Sequence, residues 1–269
     1  MVTTGILARL EWTERGDLRE VLRSHPLIHL AAPDLSPDEL IDLARGVGTV
    51  EPARRIHLGL PGHPEIMCFG NVRNEQGEAV AGSALGLGFH TDMSYRPHPC
   101  ELTLLRAVEV PRVGGDTHFV SMVRLHEELD EETRAVWASL EAEHVTESSY
   151  YENAPDRRSV HPLVTIHPDS GRPLVYACPA YMRRVIGLPE PESRRILERL
   201  VSAMDPPDVV HRWQPGDVLI WDNRAVLHRA TPHDSAHTRL LWRVSVRLGV
   251  GEAFGHTNVN DPRSRRADR

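Results

Sequence analysis

Short apolar runs closed by turn-forming residues recur along this chain, and they restrict it to a mainly β fold. The runs are Leu102-Thr103-Leu104-Leu105, Leu163-Val164-Thr165-Ile166, Leu174-Val175-Tyr176, Val218-Leu219-Ile220-Trp221 and the stretch over 240–246. Each is too short for a helix with a buried face and rich in residues that fit a pleated sheet. Pro168-Asp169-Ser170-Gly171 and Gln214-Pro215-Gly216-Asp217 supply turn chemistry between them. Helical signals are fewer. Ser36-Pro37-Asp38-Glu39 reads as a capped helix start, because a serine oxygen accepts orphan amides, proline suits the first turn and acids face the dipole. Gly46 to Gly48 should end that helix. Apolar residues at helical spacing predict a second over 122–141 and a third over 192–204. Many strands with a few flanking helices predict a sandwich or jelly-roll barrel, and not an alternating βαβ sheet. With 269 residues, one domain over 1–257 followed by a polar tail over 258–269 is expected.

Composition narrows the partners. A formal net charge of −7 offers no general attraction for nucleic acid or an anionic membrane. A small-molecule partner is expected instead. All 31 basic residues are arginine, which excludes Schiff-base lysine chemistry and favours two-point recognition of carboxylates. Cys68, Cys100 and Cys178 form an odd set without CxxC spacing, so they read as buried small hydrophobes and not as disulfides or a thiolate zinc site. No stretch is long and apolar enough to span a bilayer, and the first residues lack the apolar core of a signal peptide, so a soluble, cytoplasmic protein is expected.

Four of the 16 histidines have an acid two residues later: His63/Glu65, His90/Asp92, His126/Glu128 and His167/Asp169. His63-Pro64-Glu65 reads as a loop, His126 and Glu128 fall on different faces of a helix, and His167 opens a turn. Only His90 follows a strand-end sequence, Gly86-Leu87-Gly88-Phe89. On an extended segment His90 and Asp92 point to one face. A second histidine would complete a facial set of two nitrogens and one carboxylate, the arrangement of non-haem iron(II) oxygenases. His228, beyond the apolar run 218–221, is the candidate, although taken alone it reads rather as a hydrogen-bonded core histidine.

The motifs decide between those readings. His90-Thr91-Asp92, Gly114-Gly115-Asp116-Thr117, Trp213-Gln214-Pro215-Gly216-Asp217 and Trp221-Asp222-Asn223-Arg224 leading to His228 resemble, in order, the TauD/TfdA family of Fe(II)/2-oxoglutarate dioxygenases. The resemblance runs from about His57 to Arg247. It implies a double-stranded β-helix of the jelly-roll, cupin-like kind, with His90, Asp92 and His228 converging on Fe(II). It also implies that Thr117 and Arg239, the latter eleven residues after His228, hold the far carboxylate of 2-oxoglutarate. Arg243 corresponds to a second family arginine near the metal-bound end of 2-oxoglutarate, which contacts the substrate anion in sulfonate-using members. Four residues apart on a strand, Arg239 and Arg243 share a face. His57 corresponds to a substrate-contacting position.

By the same resemblance, O2 and 2-oxoglutarate are consumed, succinate and CO2 are formed, and a substrate C–H bond is oxidised, by default hydroxylated. Retention of Asp92 separates the chain from iron halogenases, which carry a small residue there. The stretch 81–87 departs from the taurine enzyme's approach to its HxD motif. Tyr150-Tyr151 and Tyr181-Met182 lack a counterpart there and suggest an aromatic substrate wall. Substrate classes left open are an organosulfonate, a phosphonate, a nucleotide phosphate or a carboxylated natural product. Family members form dimers or tetramers, so a homo-oligomer is expected. Two rival readings remain: a zinc hydrolase on the same three ligands, which leaves Thr117 and Arg239 without a task, and a non-catalytic jelly-roll binding module.

Overall fold

The computed structural model describes residues 2–249 apart from 15, 33, 54–57, 83–85 and 147–156. His57, Tyr150, Tyr151 and the tail over 258–269 lie outside the described residues. Among the described residues, a nine-stranded sheet dominates. Its path runs Val2–Thr4, Leu7–Glu11, Leu27–Ala31, Asp217–Asp222, Leu102–Glu109, Leu240–Arg247, His63–Gly70 and Gly59–Leu60, with Thr49–Glu51 also on Leu240–Arg247. Leu7–Glu11 pairs with Leu27–Ala31 in parallel. A three-stranded antiparallel sheet of Val209–His211, Thr117–Ser121 and Val226–Ala230 faces it. A second three-stranded sheet (Arg158–Pro162, Glu141–Val145, Met182–Val185) and the hairpin Val164–Ile166/Pro173–Val175 complete the β structure.

The apolar run 218–221 sits centrally because it is covered on both sides, the condition under which a strand loses polar alternation. Val218 and Ile220 face outward with Ile28, Leu30, Leu104 and Val244 into a core covered by the helix Pro37–Val47. Leu219 and Trp221 point inward, where they meet Phe119 and Val226 of the three-stranded sheet. Two sheets packed through an interleaved core form the expected double-stranded β-helix, and their inner faces surround the cavity described below.

Local expectations hold where the signal is capping or period-2 alternation. Ser36 Oγ accepts from Glu39 N while the Glu39 carboxylate accepts from Ser36 N, and Gly48 closes the helix. All three cysteines are buried and unpaired with one another. The third helix runs Glu190–Ala203. Two expectations are corrected. The helix over 122–141 is two short helices, Met122–Glu127 and Glu131–Trp137, followed by a strand from Glu141. Asp130 breaks it, because its side chain accepts from Thr133 N and starts the second helix as an N-cap. His63-Pro64-Glu65 is not a loop but the start of the strand His63–Gly70. Pro64 is tolerated there because the Leu240–Arg247 ladder begins only at Met67. No helix among the described residues is long and apolar enough to cross a membrane.

Candidate active site

His90 and His228 are brought side by side by one antiparallel bridge. His90 N donates to His228 O at 2.9 Å and His228 N donates to His90 O at 2.8 Å. Directly opposed residues of such a pair project to the same side of the sheet. The two imidazole centroids are accordingly 4.2 Å apart, and Trp221 backs His228 at 4.7 Å. Gly86, whose carbonyl accepts from Ala230 N, must stay small. A Cβ there would lie 2.8 Å from His90 Cε1, and its φ of +80° is one that glycine tolerates. Asp92 follows two residues later, and the donor atoms of His90, Asp92 and His228 all lie within 4.8 Å of one another.

The protonation pattern suits a cation. His90 Nδ1 is 2.9 Å from Gly88 O, and this carbonyl can only accept, so the ring proton lies on Nδ1 and Nε2 keeps its lone pair. Burial, reinforced by Arg243, lowers the His90 pKa. Burial, His90 and Arg243 push His228 well below its usual value. Both imidazoles are therefore neutral near pH 7, the form that ligates metals. Burial alone would raise the Asp92 pKa, but the Arg243 charge, the two imidazoles and the Thr103 hydroxyl outweigh it and hold it at about 2. Asp92 Oδ2 is occupied by Thr103 Oγ1 at 2.6 Å and Arg243 Nη2 at 2.9 Å, while Oδ1 faces His228 Nε2 at 3.9 Å. Two imidazole nitrogens and one carboxylate oxygen lining a cavity are a donor set that would hold Fe(II).

Thr117 and Arg239 line that cavity with the three candidate ligands. Thr117 Oγ1 accepts from Trp213 Nε1 at 2.9 Å, which leaves its proton for an acceptor in the cavity. Arg239 is buried and donates to Gly115 O at 3.2 Å, but its Nε–H has no partner among the described residues. Burial lowers its pKa to about 10, with the Asp116 charge opposing. A Cβ on Gly115, at φ +70°, would sit 3.1 Å from Arg239 Nε. This donor pair fits a buried carboxylate.

Arg243 shares the cavity with Arg239, as their spacing predicts, but forms its ion pair with Asp92. Tyr181 lines the cavity edge-on to His90, with ring centroids 6.1 Å apart. Sequence reasoning missed the rest of the wall, Met67, Phe69, Met93, Tyr95 and Leu105, and it also missed Thr103. Thr103, the one hydroxyl in the run Leu102-Thr103-Leu104-Leu105, carried a readable signal: a polar residue in a buried strand needs a partner. Of the other histidine–acid pairs, His63 meets Asp38 at 3.2 Å and Glu65 meets Arg45 at 3.5 Å. His167 does open a turn, yet its Nε2 reaches Asp222 Oδ2 at 3.1 Å, and Arg224 bridges Asp222 and Asp169. That guanidinium occupies the place a cation would take.

Residues 6–245 match the family model described as "Taurine catabolism dioxygenase TauD, TfdA family". Pentalenolactone F synthase of Streptomyces avermitilis is 30% identical over 86% of this chain and 85% of its own length. The (S)-phenoxypropionate/alpha-ketoglutarate-dioxygenase of Delftia acidovorans is 31% identical over 89% of this chain and 88% of its own. A taurine dioxygenase structure from Burkholderia xenovorans superposes with a TM-score of 0.76 at 24% identity, over 91% of this chain and 86% of that one. The chain belongs to the TauD/TfdA family of Fe(II)/2-oxoglutarate-dependent dioxygenases.

Proposed function

We propose that this chain holds Fe(II) on His90, Asp92 and His228, binds 2-oxoglutarate through Thr117 and Arg239, and hydroxylates a small organic acid with an apolar, ring-bearing body. The observation that carries this reading is the buried Arg239 guanidinium beside the Thr117 hydroxyl, in the same cavity as the three candidate ligands. A buried cation with an unused N–H calls for an anion, and the far carboxylate of 2-oxoglutarate answers it. Trp213 acts through Thr117 by occupying its acceptor side. When bound, the iron supplies O2 activation coupled to decarboxylation of 2-oxoglutarate to succinate. The protein's part is to orient both small molecules and to keep water out.

Met67, Phe69, Met93, Tyr95 and Tyr181 give the cavity an apolar and aromatic wall. Tyr181 and Tyr95 meet edge to face, 5.0 Å between centroids, a rigid pair against which a ring can pack. The relative named for phenoxypropionate takes, by that name, an aromatic ring bearing a carboxylate, a shape that suits such a wall. Arg243, at the metal end of the cavity, is the proposed neighbour of the substrate's acidic group and of the chelating end of 2-oxoglutarate. His57 and Tyr150 are proposed to contact substrate on the strength of the sequence alone.

The test is anaerobic addition of Fe(II) and 2-oxoglutarate to the metal-free protein. A metal-to-ligand charge-transfer band is expected, absent in Asp92→Ala, followed by substrate-triggered succinate release in air. No band, together with hydrolysis supported by zinc, would overturn the oxygenase reading in favour of the hydrolase.

A further inference from the structure

Asp92 Oδ2 receives one hydrogen bond, from Thr103, beside its ion pair with Arg243, and Thr103 is itself held by a residue that touches no candidate ligand side chain. Asn223 Nδ2 donates to Thr103 Oγ1 at 2.9 Å, and Thr103 Oγ1 donates to Asp92 Oδ2 at 2.6 Å. The directions follow from donor counting. Asn223 Oδ1 accepts from Trp221 Nε1 at 2.9 Å and from the Asp92 backbone N–H at 3.3 Å. Neither nitrogen can accept, so the amide cannot be flipped and its NH2 must face Thr103. With an N–H pointing at its oxygen, the Thr103 hydroxyl gives its proton to the ionised carboxylate, Asp92 Oδ2 at 2.6 Å, a shorter and stronger acceptor than the Cys100 sulfur at 3.7 Å.

The backbone of Asn223 is equally constrained. Its carbonyl accepts from Thr91 Oγ1 at 2.5 Å and its N–H donates to Glu101 O at 2.8 Å. Asn223 stands in the turn between the strands Asp217–Asp222 and Val226–Ala230, the second of which carries His228. One residue thus fastens the Thr91-Asp92 segment to the turn that delivers His228. All of Thr91, Asp92, Thr103, Trp221 and Asn223 are buried, so water does not compete for these bonds.

We propose that Asn223 is a positioning residue for the metal carboxylate: through Thr103 it pins Asp92 Oδ2 and leaves Oδ1 as the single oxygen presented to the ion. This rests on the assignment of His90, Asp92 and His228 as metal ligands. Outer-shell partners of ligating carboxylates act on metal affinity by fixing ligand orientation, by about ten- to hundredfold.

The experiment titrates manganese(II) into the metal-free full-length chain, reading free ion by electron paramagnetic resonance, alongside thermal unfolding of the same samples. Asn223→Ala and Thr103→Val should each weaken Mn(II) binding by about ten- to hundredfold, and Thr103→Ser, which keeps the hydroxyl, should retain most of the affinity. Because both act on one relay, the double variant should bind within about twofold of Thr103→Val. Asn223→Asp keeps the acceptor for Trp221 and the Asp92 amide but cannot donate to Thr103, so it carries the same expectation if Asn223→Ala does not fold. Parental affinity in the folded Asn223 variants, or losses that multiply in the double variant, would overturn the relay. Asp92→Ala separates the two levels. If it binds Mn(II) like the parent, the metal assignment itself fails; if it alone loses binding, only the role of Asn223 does.

Discussion

His90, Asp92 and His228 offer two imidazoles and a carboxylate, and so do His29, His211 and Asp217, yet the two groups are wired in opposite senses. At the cavity, His90 gives its ring proton to Gly88 O, which frees Nε2, and Asp92 keeps Oδ1 clear because Thr103 and Arg243 take only Oδ2. In the second group, Arg9 Nη1 lies 3.3 Å from His29 Nδ1 and can only donate, so the neutral ring carries its proton on Nε2, which gives it to Asp217 Oδ1 at 2.8 Å. Asp217 Oδ2 is taken by Gln214 N at 2.8 Å, with His211 Nε2 at 3.1 Å. His90 keeps a lone pair open toward the cavity, whereas His29 spends its lone pair on Arg9 and its proton on Asp217, within a group that draws on three strands. Donor identity alone does not separate the two groups; the placement of the His90 and His29 ring protons does.

The comparison breaks most sharply at Asp92. Asp92→Ala should abolish metal binding and succinate formation while leaving the fold, checked by Mn(II) titration and circular dichroism. The parent should bind one ion per chain, and a second equivalent lost on mutating His29 would erase the distinction drawn above.

Asp217→Ala should do the reverse. Removing Asp217 leaves the partly buried donors His29 Nε2–H and Gln214 N–H without their acceptor, at about 1–3 kcal/mol each, so the unfolding midpoint should fall while the Mn(II) affinity of the folded fraction is unchanged. Burial would raise the Asp217 pKa, but His211, His29 and the Gln214 amide hold it below its ordinary value. A depressed carboxyl contributes stability that is fully present above the unfolded value near pH 3.9 and is lost as pH falls through the folded one. The gap in stability between parent and Asp217→Ala should therefore be constant at neutral pH and close in strong acid, measured by urea unfolding across pH.

Smaller effects sharpen the cosubstrate side. Arg239→Met removes a charge-assisted contact of about 1.5–3 kcal/mol and should weaken 2-oxoglutarate binding roughly ten- to hundredfold, with Mn(II) affinity nearly unchanged. Trp213→Phe removes the N–H that orients Thr117, together with some buried ring volume outside the cavity wall. A loss of about 0.5–1.5 kcal/mol in 2-oxoglutarate affinity is expected by calorimetry, and no loss would show that Thr117 needs no orienting partner.

Much of the architecture was legible because it depends on local periodicity. The run 218–221 reads as a buried strand from composition alone, and the Ser36 capping box from spacing. The helix over 122–141 did not survive, because Asp130 found a better local bond as a cap than as a helical interior residue. His63 was misplaced for the opposite reason, since a proline that argues against a strand is harmless where the neighbouring ladder has not begun. At the site, the HxD spacing and the later motifs pointed to the three candidate ligands, to Thr117 and to Arg239. Of the apolar wall Tyr181 was named from the sequence, but Met67, Phe69 and Tyr95 were not readable, since they meet only when separate segments converge.

By itself, the sequence determined which donors the chain owns and which strands alternate, because both are properties of residue type and short spacing. It also set the family, through motifs that keep their order along the chain. Only the tertiary structure decided which of two chemically identical groups stays open. That choice depends on whether a histidine's second nitrogen meets a carbonyl, as His90 meets Gly88, or a guanidinium, as His29 meets Arg9 from an adjacent strand. The location of a ring proton is set by its partner across space, and no spacing along the chain encodes it.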